Sequence, residues 1–556
     1  AKSLDRGCHC EGRSNLTRGM GIASSQRTLL AMTSGARSRL CSWHALYARP
    51  LVPPPTPRYN RSSVQSPFNP DEYGLRGASL DLYLRQIFAS FSNETVQELA
   101  RAVHDEAARK ELVYYRDGQM EVINVLLRPI AVFSEQLNYF HYVSQTLLGA
   151  LKRLPELYLK DFQVRQIVPL EESEAKWLWD TWGASHNQFH TVFGRLDAIA
   201  DLTGAFSKDS LAFIEPNLVG AGGIHLIPAA EDILLETVVP VMESAALDLD
   251  LYKTDDLRDT FMQELLDHAE AIGRKGRAIC FVDAKYAGDG TNEQETLMNF
   301  YRGRGVEVYH ADPEELYLRN NEVYFENHLL DVAYRDYEVR ELAEMEQEGM
   351  NVRPMKQLFR QNQMVSSMAG EFDHKSCFEI FTDPQFAQHF TMDERNVFRR
   401  HVLWTRVLRD TRTADPMGEL VELLEFTRAN REILVIKPNR SYGGEDVMIG
   451  PSTTQNDWEA AIERAVNEPG VWVTQRLARI AVYEFPVLAE NGTVQTTPFY
   501  VVYGLAPTKY GLAILGRASQ KQVVNVAQRG GMVAVLVGQH KHQIHAPRMP
   551  KPKADG

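Results

Sequence analysis

Between residues 79 and 110 the apolar positions return every three or four residues, in SLDLYLRQIFASFSNETVQELARAVHDEAARK. The same period recurs over 134–154, in SEQLNYFHYVSQTLLGALKRL. Both stretches predict amphipathic helices, and together an N-terminal helical layer. The pattern then changes. KWLWDTWGASHNQFHTVFGRLDAIAD (176–201) starts as a helix and ends near a short strand, LAFIEPNL (211–218) is a strand, VGAGG is a turn, and 229–275 is helical again. AICFVD, NEQETLMNFYRGRG and VEVYHAD (278–312) alternate strand, helix and strand, which implies a partly parallel sheet. Residues 321–337 predict a hairpin and a third strand, and 355–430 are mainly helical.

The last part is rich in β pattern. The run ILVI (433–436) leads into a polar turn, helix 456–467 follows, and VWVTQRL (471–477) is a strand. Further strands are expected in FPVLAENGTVQTTPFYVVYG, YGLAILGRAS, KQVVNVA (521–527) and MVAVLVG (532–538). No internal repeat is present. The fold class is mixed α/β (α+β).

The 556 residues are enough for two to four domains with a large core. No apolar run approaches the roughly 20 residues that span a bilayer. A net charge of −13 argues against general nucleic-acid binding, which needs concentrated positive charge. Five cysteines (Cys8, Cys10, Cys41, Cys280 and Cys377) form no disulfide framework, so a reducing, cytoplasmic setting is expected. Cys8-His9-Cys10 has no second ligand pair at zinc spacing. Residues 1–69 are rich in Arg, Ser and Pro, and Asp5 and Glu11 are the only acids before Asp71. The stretch has the composition of a transit peptide, and a disordered tail or an over-extended start is the preferred reading.

Two stretches carry chemistry. In ILVIKPNRSYGGEDVMIG (433–450), a strand ends at Lys437 and a loop with Gly443 and Gly444 follows. Such a loop lets backbone approach phosphates closely while the lysine meets their charge. The alternative is an ordinary glycine hairpin. In the second stretch, Glu215 and Asn217 are two apart on a strand, so both face one way. Two hard oxygen donors on one face suit Mg²⁺. Arg195 and Asp197 are also two apart, a candidate anion contact and a candidate third metal ligand. Pro216 fits an edge strand, which favours the alternative in which Glu215 and Asn217 merely face solvent.

The order FGRLD, FIEPN, IKPNRSYGG, WVTQRL and LGRAS, from about 185 to 535, resembles permuted ATP-grasp ligases. In this it is similar to eukaryotic-type glutathione synthetase and glutathionylspermidine synthetase. The resemblance implies an ATP-grasp fold with permuted chain order behind the helical layer. It implies magnesium ligands at Asp197, Glu215 and Asn217, and substrate or phosphate contacts from Arg195, Arg335 and Arg517. It implies ATP contacts from Lys375, Lys437 and the loop Ser441, Gly443 and Gly444. Gln475, Arg476 and Leu477 match the strand that reads adenine, largely through its backbone. The family carries an acid where Ser441 and Tyr442 stand here, with Glu445 and Asp446 following instead; Asn525 is a candidate replacement contact.

On the same basis, a helical layer is expected at 70–160 and the metal-bearing part of the core at 161–240. A βαβ substrate domain is expected at 241–345, ATP-binding subdomains at 346–540, and a basic tail at 541–556. The implied cofactors are ATP and Mg²⁺. The implied partners are small-molecule or peptide carboxylates and amines, with neither nucleic acid nor membrane, and a homodimer left open by analogy. The implied reaction is ATP-dependent formation of an amide through an acyl phosphate. A phosphotransferase and an inactive nucleotide-binding scaffold are the alternatives.

Overall fold

Val494–Thr508, a strand of 15 residues, organises the centre of the computed structural model. Its first half pairs with Val482–Leu488 and its second half with Arg195–Ile199, while Gly511–Ser519 runs along the opposite side. Among the described residues this sheet has eight strands. Gly531–His540 follows Gly511–Ser519 and carries Ile130–Val132 and Leu249–Tyr252, and Ala212–Asn217 closes the far edge beyond Arg195–Ile199. Strands from the two ends of the chain are thus neighbours, which no local pattern announces.

The structure describes residues 72–204, 206–291, 293–441, 446–489, 491–521 and 531–541, all within the compact unit Pro67–Gly556. The expectations for the N-terminal tail, Cys8-His9-Cys10, Gly443, Gly444, Asn525, the strand at 521–527 and most of the basic tail lie outside them. Among the described residues no helix is long and apolar enough to cross a membrane.

The helical expectation holds for Glu72–Ala89, Asn93–Arg109 and Ser134–Leu151. Asn93–Arg109 buries Val96, Leu99, Val103 and Ala107, and the Ser92 side chain accepts from the Thr95 N–H at its start. A hairpin, Val113–Arg116 with Gln119–Val122, interrupts the layer. Asp117 and Gly118 make its turn, both with positive φ, the two-residue turn that Asp-Gly favours.

Two smaller sheets flank the large one. Ile279–Val282, Val308–Ala311, Val332–Arg335 and Met364–Val365 form the expected parallel sheet. Thr405–Val407, Trp472–Arg476, Leu434–Pro438 and Met448–Ile449 form an antiparallel sheet. The helix Gln455–Asn467 seals that sheet with Trp458 and Ile462, both fully buried.

One buried acid has a consequence for stability. Glu231, on helix Leu226–Thr237, is 1% exposed. One carboxyl oxygen accepts from the Thr254 hydroxyl at 2.7 Å, and the other has no hydrogen-bond partner. Burial pushes this carboxyl up to about 8, from an ordinary 4.5. The folded chain therefore keeps a proton that the unfolded chain releases, and stability falls as pH rises from about 4.5 to about 8. Glu231→Gln, which stays neutral and keeps the acceptor, is expected to be stabler than the natural chain by about 4 kcal/mol at pH 8. Near pH 4.5 the two should be equal. Urea unfolding at both pH values checks this, and an unchanged difference between them would contradict it.

Candidate functional site

A cleft of about 510 Å³ opens between the edge of the large sheet and the antiparallel sheet. Its floor is the pair Arg195–Ile199 and Ala212–Asn217. Arg195 faces Asn217 and Asp197 faces Glu215 across the ladder. Leu196, Ala198 and Phe213 point the other way and are fully buried, so the polar set is turned to the cleft.

The register slips between Asp197 and Ala198, with Ile214 as the extra residue. This bulge turns the Ile214 carbonyl out of the ladder. It accepts from Lys437 Nζ at 3.1 Å and from Gln475 Nε2 at 3.1 Å, which ties the antiparallel sheet to the floor. Gln475 also donates to the Thr405 hydroxyl at 2.8 Å, so its side chain is a brace. Lys437 is 6% exposed, and burial pushes it down to about 8 against the pull of Glu215.

Asp197 is held from both sides. Arg195 Nε donates to it at 2.9 Å and Arg517 Nη2 lies 2.7 Å away. Burial opposes its ionisation, but the two guanidiniums outweigh burial and hold the carboxyl at about 2. Arg195 also donates to the Gly222 carbonyl at 2.8 Å. The arginine stem crosses Gly504, where a Cβ would lie 2.4 Å from Arg195 Cδ. Because both ends of that side chain are tied, Gly504→Ala is expected to displace Arg195 and cost about 1–3 kcal/mol. Anion binding in the cleft should weaken with it, which nucleotide titration of the folded variant would reveal; unchanged binding and stability would contradict the placement.

Glu215 is the second acid at the centre. Its carboxylate lies 3.3 Å from Lys375 and 4.0 Å from Lys437. Lys375 also donates to the Ser441 carbonyl at 2.8 Å, so Ser441 takes part through its backbone. Sequence reading missed what holds Lys375 there. The Asn439 side chain accepts from the Ser376 N–H at 2.8 Å and donates to the Gly470 carbonyl at 3.0 Å. It clamps the Lys375 segment against the end of Leu434–Pro438. Arg440 makes a two-pronged bond to buried Glu174, at 2.9 and 2.7 Å. In the sequence these residues read only as polar loop.

Gln475, Arg476, Leu477 and Arg517 line the cleft. The backbone N–H groups of Arg476 and Leu477 already donate to the carbonyls of Trp404 and Ile433. Leu403, Val435, Ile449, Leu477 and Ile480 give this end an apolar lining. The opposite wall carries Asp336, Glu338 and Glu341, an acidic group the sequence reading passed over in RDYEVRE.

Arg335 does not join the set, and its expected substrate contact is corrected. It is 1% exposed. It donates to Glu371 at 2.6 Å, to the Ser367 carbonyl at 2.7 Å and to the Tyr337 carbonyl. Both terminal nitrogens are engaged by the protein, and the Nε is buried without a hydrogen-bond partner.

Asp197, Glu215 and Asn217 present carboxylate and amide oxygens on one face of one hairpin, a donor set that fits Mg²⁺. Among the described residues no cluster of three or more His, Cys, Asp or Glu stands as a separate metal site.

No protein-family model matches the chain, and no curated protein matches it in sequence. Among solved structures, it is similar to a glutathione synthetase-like effector from Globodera pallida in its apo form. The TM-score is 0.56 and the identity 11%, over 81% of this chain and 98% of that one. It also matches a candidate γ-glutamylcysteine synthetase from Methylobacillus flagellatus at a TM-score of 0.35 and 11% identity, over 70% and 88% of the two chains. The first likeness establishes the fold, a mixed α/β fold of the glutathione synthetase-like, ATP-grasp type. The second is too weak to add to it.

Proposed function

We propose that the protein is an ATP-dependent carboxylate–amine ligase that forms an amide through an acyl phosphate. One observation carries this reading. Lys437, two arginines and three residues with metal-suited oxygens line one cleft with an apolar end, and Lys375 reaches it through Glu215.

A carboxylate is a poor acyl donor because its leaving group is oxide, and transfer of the γ-phosphoryl group supplies a better one. The protein's part is positioning and charge. Lys375 and Lys437 hold the nucleotide phosphates. Arg195 and Arg517 hold the donor carboxylate and the charge that builds as its oxygen attacks phosphorus. The apolar end takes the flat adenine ring. Asp197, Glu215 and Asn217 hold Mg²⁺, which when bound neutralises phosphate charge. The low-exposure floor keeps water from the acyl phosphate until the amine attacks. Asp336, Glu338 and Glu341 suit an acceptor bearing an ammonium group.

Ser441, standing where the resembled family has an acid, favours a second reading: a nucleotide-binding scaffold without turnover. ADP release by the full chain separates the two. With Mg·ATP and pools of carboxylic acids, amino acids, polyamines and short peptides, the ligase reading expects release only when donor and acceptor are both present. Nucleotide binding without release in any pool would favour the scaffold.

A further inference from the structure

We propose that Glu215 is an exchangeable internal counter-ion that masks Lys375 and Lys437 until a divalent cation draws its carboxylate away. This rests on the ligase reading of the cleft and adds a rule of entry to it: cation and nucleotide bind as coupled partners.

The two central acids are held differently. Asp197 is 2% exposed and locked by charge-assisted bonds of 2.9 and 2.7 Å from two arginines. These are short, strong contacts. Glu215 has a side chain 26% exposed to the cleft and meets its lysines only at 3.3 and 4.0 Å. Its ties are looser than those of Asp197 and break first. Both lysines have a second partner, the carbonyls of Ser441 and Ile214, so neither is left without one when Glu215 leaves. The cations that phosphate needs are therefore paired with the acid that the metal needs. A polyphosphate arriving alone has to compete with Glu215 for both lysines and meets its negative charge. A divalent cation arriving alone has to take Glu215 from two ammonium groups. Arriving together, each relieves the other's cost, which is positive coupling between two ligands.

The probe is a non-hydrolysable ATP analogue, titrated calorimetrically into the full chain in EDTA and in excess Mg²⁺. Glu215→Gln removes the counter-ion. It is expected to bind the analogue in EDTA about tenfold more tightly than the natural chain, and to gain much less from Mg²⁺. Asp197→Asn is expected to gain less from Mg²⁺ as well, being a metal ligand, but not to tighten binding in EDTA, because Glu215 still faces both lysines. The idea is overturned if Glu215→Gln binds no more tightly in EDTA, or if its gain from Mg²⁺ equals the natural chain's. If Glu215→Gln does not fold, Glu215→Asp, whose shorter reach weakens the masking, should move both quantities the same way. Failure of the natural chain to bind with Mg²⁺ would instead overturn the reading of the cleft itself.

Discussion

Lys437→Met is expected to leave the protein folded and to remove substrate-dependent ADP release. The side chain is buried, and methionine fills nearly the same space without bringing a charge into the interior. The two groups it touches do not become orphans. Gln475 still donates to the Ile214 carbonyl, and Lys375 still faces Glu215. Stability should stay level or rise, since removing a buried ammonium removes its desolvation cost. Activity has no such substitute. A preorganised cation on a transferring phosphoryl group is worth about 10²–10³ in rate, so kcat/KM should fall by at least that much. Thermal unfolding beside ADP release makes the check. A stable variant with near-natural turnover would show that this lysine braces the sheet and does not serve phosphate.

The opposite pattern is expected of Arg335→Met. Its guanidinium pairs with Glu371, itself 1% exposed. Burial pushes Glu371 up to about 7 even with Arg335 beside it. Removing one partner of a buried pair leaves an uncompensated charge and costs about 3–5 kcal/mol. Lower unfolding midpoints in heat and urea should follow, while turnover per folded molecule stays close to natural. Adding Glu371→Gln should recover part of the loss, because the buried charge is then gone. A stable Arg335→Met protein without activity would restore the arginine to the substrate and contradict the contacts described above.

The contrast between these two residues shows what was legible in the sequence. Lys437 closes a strand and enters a glycine loop, a local signal. Arg335 also closes a strand, in VAYRDY. Val332–Arg335 is buried along its whole length within a parallel sheet, so it has no polar face from which to read direction. The alternation rule worked for Glu215 and Asn217 because Ala212–Asn217 is an edge strand with one open face.

The pairing of that hairpin with Val494–Thr508 was not legible, because nothing local marks strands separated by about 300 residues as neighbours. Nor was the bulge that aims the Ile214 carbonyl. The family comparison at Ser441 weighed side chains, whereas the structure uses that residue's carbonyl. The hairpin at 113–122 was missed although Asp117-Gly118 announces a turn, because the helical periods on either side dominated the reading.

The central claim is that the cleft passes a phosphoryl group to a carboxylate oxygen. Once ADP release identifies a donor, that donor should be prepared with ¹⁸O in both carboxylate oxygens and the released phosphate weighed by mass spectrometry. Ligation through an acyl phosphate carries one ¹⁸O into each phosphate released. Phosphate free of label, formed alongside ADP, would contradict the account.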